Sequence, residues 1–411
     1  MRAALALSMV LVGWSPEGAM GENIDVDGVP LPADAAVDTG ASPFAGAWVG
    51  QFDGALKTIL VVEKLPTGEG DGSAIYAVGE NPRFGIEATA WRMATSLSED
   101  RLVLNGRVPV TYTASPTGRL RGVYGDGYGF AVLAPYPLDA LLHGDGAVCW
   151  SGGGERVMLD VGLEEDGAAV ALEAVIYTPP GEGPFALALV NHGSTGAGTD
   201  AGLAKQTWAN AWIADVLNAR GYIVAFVQRR GRGRSGGRYD EGFGADRAAG
   251  YTCEPGPSLA GAERALTDIE AAVTALRARG DVAPGPVLML GHSRGGALSL
   301  AYAGRHPDDV AGVVNFVGGW MGDVCPTADQ INGTLFNSGA AFKGPTLWLY
   351  GEDDAYYGNA TPARLRDGFE AAGGNATLLT FRVRGESNGH FVMSIPPLWD
   401  APVAAYLDGL R

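Results

Sequence analysis

The chain is poor in cysteine and histidine, with three and five among 411 residues. There is no CxxC pair, so with so little histidine a structural zinc site is not expected. Basic residues are also few, 29 against 46 acidic ones, giving a net charge of −17. Binding phosphates requires a basic face, so nucleic acid is not an expected partner, and an acidic surface serves solubility. Nothing after the N-terminus offers about 20 uninterrupted apolar residues, so no membrane span is expected. The N-terminal apolar run, Ala3 to Trp14 behind Arg2, ends at Pro16–Gly18. It is too short for a membrane helix and reads as a secretory signal peptide over residues 1–21, although its small-residue cleavage site is poor. No cysteine follows the run, so a bacterial lipoprotein anchor is not expected. Export would make the protein secreted or periplasmic, where a disulfide can persist. Cys253 and Cys325, both in loops, are then the preferred pair, with Cys149 left over; three unpaired thiols are the alternative.

What is present is a large core. Apolar residues make up 46% and charged residues 18%, which excludes a wholly disordered chain and a coiled coil. The length corresponds to roughly two domains at about 150 residues each. Glycine is abundant, 63 residues, about twice the usual share of roughly 7%. With no G-X-Y period, those glycines belong to tight turns in a folded protein.

Residues 22–43 carry Asp, Ala, Gly and Pro without periodicity and read as a surface linker. From 44 to about 150, short strand patterns lie between turn signals: Lys57–Leu65, Gly72–Val78, Gly85–Met93, Arg101–Val108, Arg119–Tyr124 and Gly127–Ala134. That spacing predicts an antiparallel β domain, as a meander, sandwich or small barrel, with no clustered chemistry. From about 155 to 411 the rhythm changes. Strands are expected at Val170–Tyr177, Phe185–Val190, Tyr222–Val227, Val287–Leu290, Val310–Val317, Thr346–Tyr350 and Ala376–Arg382. Helices are expected at Lys205–Arg220, Leu259–Arg279, Gly295–Arg305, Pro362–Ala372 and Leu398–Leu410. Strands alternating with helices predict an α/β unit, a mostly parallel sheet covered on both faces.

The strand Val287–Leu290 runs into Gly291-His292-Ser293-Arg294-Gly295-Gly296 and then a helix. This is a G-x-S-x-G elbow in its strand–turn–helix setting, and it makes Ser293 the candidate nucleophile. A serine hydroxyl needs a base, and the base needs an orienting group. Of the five histidines, His143 lies near the end of the β domain, the elbow would point His292 away, His306 caps a helix and His192 sits in another loop. His390, just past the last strand, remains as base. The acid should come after a strand between Ser293 and His390. Gly351-Glu352-Asp353-Asp354 supplies Asp354, with Asp353 second and Asp323 as an outside alternative. Backbone donors for an oxyanion are expected at Arg294 and at Ser194, in the loop Asn191-His192-Gly193-Ser194-Thr195-Gly196. Trp320, Tyr356 and Tyr357 follow strands on the same rim, as pocket lining or as packing. The loop Gln228–Arg238 holds five arginines. It either binds an anionic substrate or, as the plainer reading, pairs with neighbouring acids.

Taken in order, His192-Gly193, Arg230-Gly231-Arg232-Gly233-Arg234-Ser235, the Ser293 elbow, Gly351–Asp354 and Gly389-His390 resemble the α/β-hydrolase superfamily. They are most similar to its dienelactone-hydrolase-like and prolyl-oligopeptidase-like serine hydrolases. Dienelactone hydrolases use a cysteine nucleophile where this chain has Ser293. The peptidases usually carry a propeller or helical cap, which the β domain does not resemble. The resemblance therefore implies a serine esterase acting on a small-molecule carboxylic ester through an acyl-enzyme, with no metal or cofactor. An aminopeptidase or amidase with the same triad is the alternative, and a non-catalytic binding protein on a hydrolase scaffold is a further one.

Overall fold

The computed structural model describes residues 22–410, apart from 68–69, 83–84, 99, 145–146 and 384–387. The expected signal peptide lies outside the described residues. The chain divides into two compact units, one ending at Glu155 and including Asn210–Ala219, the other formed by Arg156–Ala209 and Arg220–Arg411. Among the described residues no helix is long and apolar enough to cross a membrane.

The first unit is built on a closed antiparallel barrel. Its strands are β3 (Gly46–Phe52), β4 (Leu56–Lys64), β5 (Gly72–Val78), β6 (Thr89–Ser98), β7 (Arg101–Leu104), β8 (Val110–Ala114), β9 (Leu120–Tyr124) and β10 (Gly129–Tyr136). β10 returns to pair with β3, from Ala131 opposite Phe52 to Tyr136 opposite Ala47, which removes both free edges. Alternation fills the two faces with different cores. Trp48, Leu60, Tyr76, Trp91, Tyr112 and Leu133 belong to one cluster, while Val49, Ile59, Val61, Ile75 and Ala77 belong to another.

Residues 22–43, expected as a linker, instead hold a hairpin, β1 (Asn23–Val26) and β2 (Val29–Pro32). Val29 and Leu31 are fully buried and join the second cluster. The turn is Asp27-Gly28, both at positive φ (52° and 86°), the primed geometry a two-residue hairpin favours. A short helix, α1 (Leu138–His143), ends at Gly144 in the left-handed region.

The second unit carries an eight-stranded sheet: β11 (Glu155–Glu165), β12 (Ala168–Tyr177), β13 (Ala186–Asn191), β14 (Tyr222–Val227), β15 (Val287–His292), β16 (Val310–Phe316), β17 (Thr346–Gly351) and β18 (Ala376–Phe381). Its order is β11-β12-β14-β13-β15-β16-β17-β18. β12 runs antiparallel to β14, and β14, β13, β15, β16, β17 and β18 run parallel. This is the α/β-hydrolase fold. The central strands are apolar throughout because both faces are covered: Val287 to Leu290 are all buried.

The helices are α2 (Ala201–Ala204), α3 (Ala211–Asn218), α4 (Pro255–Arg277), α5 (Arg294–Arg305), α6 (Ala328–Gly339), α7 (Thr361–Ala371) and α8 (Pro396–Gly409). Of the single helix expected over Lys205–Arg220, only Ala211–Asn218 (α3) is helical, and α2 precedes that range. The side chain of Asn210 caps α3 by accepting from Ile213 N, and Trp208 N–H is already committed to the Gln228 side chain. β11 and α6 were not legible in the sequence. β11 is mostly exposed, and α6 has a glycine-interrupted pattern, Ala328 to Gly339, without a side-chain cap.

Candidate active site

The site begins at the corner between β15 and α5. Ser293 sits there at φ 55°, ψ −122°, a conformation that costs a non-glycine residue and persists only where its surroundings hold it. The neighbours explain the glycines around it. A Cβ on Gly291 would lie 2.1 Å from the Gly295 carbonyl oxygen, and one on Gly295 would lie 2.1 Å from that of Asn191. Ser293 N donates to Phe316 O at 2.9 Å, and the residue is 5% exposed.

β17 leads into Asp354, whose Oδ2 is 2.8 Å from His390 Nδ1. His390 lies in a 3-10 segment, Gly389–Ser394, after β18. Asn388 ties the two loops together: its side-chain oxygen accepts from His390 N at 3.0 Å and from Ala355 N at 2.9 Å. The other carboxylates are used elsewhere. Asp353 is exposed and accepts from the Asn359 side chain, while Asp323 Oδ2 accepts from Gly358 N and the Thr361 hydroxyl, both at 2.7 Å.

His292 does not point away, as expected from the elbow. Its ring stands 5.0 Å from that of His390, and its Nε2–H donates to the His390 carbonyl at 2.9 Å. Burial, reinforced by His390 beside it, brings its pKa down to about 4, so it is neutral near pH 7. His192 is held well below the ordinary range by burial and by Arg229. Its Nε2 accepts from Arg229 N at 3.1 Å, which leaves Nδ1–H to donate to the Gly193 carbonyl at 2.8 Å. Both rings are committed to backbone contacts. His306 lies 3.3 Å from Glu270, and His143 contacts Asp139 O within α1.

Two backbone segments lie next to the serine. Arg294 is the first residue of α5, where amides have no intrahelical partner. The 191–196 loop passes close by: a Cβ on Gly193 would lie 3.1 Å from Ser293 Cβ. Ser194 follows it, half-buried.

The Arg294 side chain is turned away from this chemistry. Its guanidinium stacks between Tyr251 at 3.7 Å and Trp320 at 4.3 Å and donates to Glu241 O and Trp320 O. Trp320, expected as pocket lining or as packing, is placed on the packing side of that choice. It is 2% exposed, and its indole N–H is taken by Ser258. Tyr356 is on the rim, 42% exposed, with its ring 4.5 Å from His390. Phe391, which nothing in the sequence singled out, is 50% exposed and 6.0 Å from the same imidazole.

The arginine loop follows the plainer reading. Arg229 pairs with Glu241 at 2.6 Å and Arg230 with Asp268 at 2.5 Å. Arg229 and Arg232 also donate to the carbonyls of His192 and Gly193, bracing the loop beside Ser293. Cys253 and Cys325 are joined, with Cα atoms 5.6 Å apart, and Cys149 is free and exposed. Among the described residues no cluster of His, Cys, Asp or Glu is arranged to hold a metal ion.

Residues 201–320, which include the elbow, match a family model described as serine aminopeptidase, S33. That match covers under a third of the chain. The chain is also similar to several solved structures at low identity. Est1E from Butyrivibrio proteoclasticus, with ferulic acid bound, is 16% identical, with 62% of this chain and 98% of that one covered and a TM-score of 0.42. A CIB-like hydrolase from Thermoplasma acidophilum is 17% identical over 62% and 98%, with a TM-score of 0.39. An esterase of Pyrococcus furiosus is 14% identical over 62% and 91%, with a TM-score of 0.41. No curated protein sequence matches the chain.

Proposed function

We propose that the hydrolase is a serine esterase acting on small-molecule carboxylic esters, with Ser293 as nucleophile, His390 as base and then acid, and Asp354 orienting His390. The observation that carries this reading is the 2.8 Å contact between Asp354 and His390 Nδ1 at a site whose serine stands on a strained elbow. Asp354 fixes the tautomer with hydrogen on Nδ1, leaving Nε2 to take a proton. In the first step the Ser293 Oγ proton passes to His390 Nε2 as Oγ bonds to the ester carbon. The carbonyl electrons move onto oxygen, and the amides of Arg294 and Ser194 receive that charge. Collapse expels the alcohol, protonated by His390, and water repeats the sequence on the acyl-enzyme. Tyr356 and Phe391 offer an apolar rim beside the base. The Cys253–Cys325 bridge supports action outside the cytoplasm.

A fluorophosphonate probe should label the wild type, and p-nitrophenyl acetate or butyrate should be hydrolysed. Ser293→Ala should abolish labelling and lower kcat more than about 1000-fold. An unlabelled wild type would sink the reading and favour a non-catalytic scaffold. The family model keeps one second reading in play, an aminopeptidase using the same triad. Turnover of aminoacyl-p-nitroanilides in preference to the esters would decide for it.

A further inference from the structure

A row of hydrogen-bonded hydroxyls that the triad does not use runs from a buried carboxylate to the 191–196 loop. It starts at Glu241, 3% exposed, whose Oε1 accepts from Arg229 Nε at 2.6 Å. The paired carboxylate can only accept, and the Tyr239 hydroxyl donates to its Oε2 at 3.1 Å. Tyr239 has then used its one proton. The 2.5 Å contact between the hydroxyls of Tyr239 and Tyr251 therefore runs from Tyr251 to Tyr239. With its own proton spent, the Tyr251 oxygen accepts from Thr195 N at 3.2 Å and from the Thr195 hydroxyl at 2.9 Å. Tyr251 N also donates to Ala197 O at 3.1 Å, so one residue holds the loop by backbone and side chain together.

The same residues reach the other side of the elbow. The Arg294 guanidinium stacks on the Tyr251 ring at 3.7 Å and donates to Glu241 O at 2.5 Å. Arg229, held by Glu241, donates to His192 O at 3.0 Å, and Arg232 donates to Gly193 O at 3.2 Å. The loop is thus tied on both sides of Ser194, whose own N–H has no hydrogen-bond partner among the described residues.

We propose that Tyr251 is a positioning residue for the oxyanion site. Its hydroxyl fixes the loop that carries Ser194 N, while its ring holds Arg294, the residue that carries the second amide. These two donors come from separate elements, and Tyr251 with Glu241 sets the spacing between them. No proton leaves the row during the reaction. Preorganised donors act on charge that exists only once Ser293 has added to the carbonyl, so the benefit belongs to kcat rather than to KM.

The inference rests on the serine-esterase reading and is tested on the intact chain with Tyr251→Phe, which keeps the ring against Arg294 and removes only the hydroxyl. Displacing a catalytic group by about 1 Å can cost about 100-fold, so kcat for p-nitrophenyl butyrate should fall by roughly tenfold or more. KM should stay within about twofold. A trifluoromethyl ketone accepts Ser293 at its carbonyl and leaves the resulting oxygen in the oxyanion site. Its Ki should rise by the same factor as kcat falls, which a mere loss of folded protein would not produce. Tyr239→Phe, which takes away the acceptor of the Tyr251 proton, should lower kcat and ketone affinity together by a smaller factor. An unchanged kcat in Tyr251→Phe, or in Tyr239→Phe where only that variant folds, would overturn the proposal. So would a raised KM at constant kcat, or a fall in kcat with ketone affinity intact. A wild type that fluorophosphonate does not label and the ketone does not inhibit would instead remove the esterase reading itself, so the two failures are distinguishable.

Discussion

At the residue scale, His292 shows how a site residue escapes a reading from sequence. Glycine, serine and the strand–helix setting identified the elbow. The direction of the side chain before the serine depends on backbone angles that only the folded corner reveals. Its ring packs beside His390 and beside Trp208, 6.5 Å away, and it donates to the His390 backbone carbonyl. This has a consequence for pH. Folded, His292 takes up a proton only near pH 4, against about 6.5 for the free side chain. Between those values the unfolded chain binds the extra proton, so His292's contribution to stability is complete above about pH 6.5 and is lost as pH falls toward 4. His292→Gln keeps an N–H donor and removes the titration. Urea midpoints measured at several pH values across that window should fall less steeply with acid in the variant than in the wild type, by up to one proton's worth of slope. Equal slopes would show that His292 does not carry this dependence.

At the element scale, α3 is the informative case. Its Asp215 is fully buried and is met by the turn between β8 and β9 and by β9 itself. The Ser115 hydroxyl donates to it at 2.7 Å and Arg121 Nε at 2.6 Å, the Thr117 hydroxyl also donates, and Arg119 stands at 3.7 Å. A helix contributed from the midst of the second unit's sequence thus completes the polar core of the first unit. Breaking a buried, hydrogen-bonded ion pair by removing one partner costs about 3–5 kcal/mol. Asp215→Ala should accordingly reduce hydrogen-exchange protection in β8 and β9; protection equal to the wild type would refute that assignment. No local pattern announces such a contact, because its partners are about 100 residues apart. Locally encoded features were legible: Gly72–Val78 and Tyr222–Val227 are strands with the expected bounds. The hairpin of β1 and β2 was missed: Asp27-Gly28 lies between apolar residues, but the surrounding Asp and Pro read as linker. Closure of the barrel was not legible, since pairing of β10 with β3 depends on register across the whole meander.

At the scale of the molecule, the Cys253–Cys325 bridge closes a long stretch of chain, 72 residues, that contains α4, β15, the Ser293 elbow, α5 and β16. Cross-linking a loop of that length removes conformational freedom from the unfolded chain worth about 4 kcal/mol in the chain-entropy model. For a unit of this size the loss translates into a melting temperature lower by roughly 10 °C. The active-site contacts do not run through either sulfur: Asp354, His390, Asn388 and Tyr357 hold one another directly. Cys325→Ser, or the wild type under dithiothreitol, should therefore melt earlier while fluorophosphonate labelling at 25 °C proceeds at close to the wild-type rate. Cys149 is free and exposed, so Cys149→Ser should leave the melting temperature where it was and separates the effect of the bridge from any general effect of losing a thiol. If reduction abolished labelling at a temperature where the fold is intact, the bridge would be acting on the site itself rather than on the unfolded state.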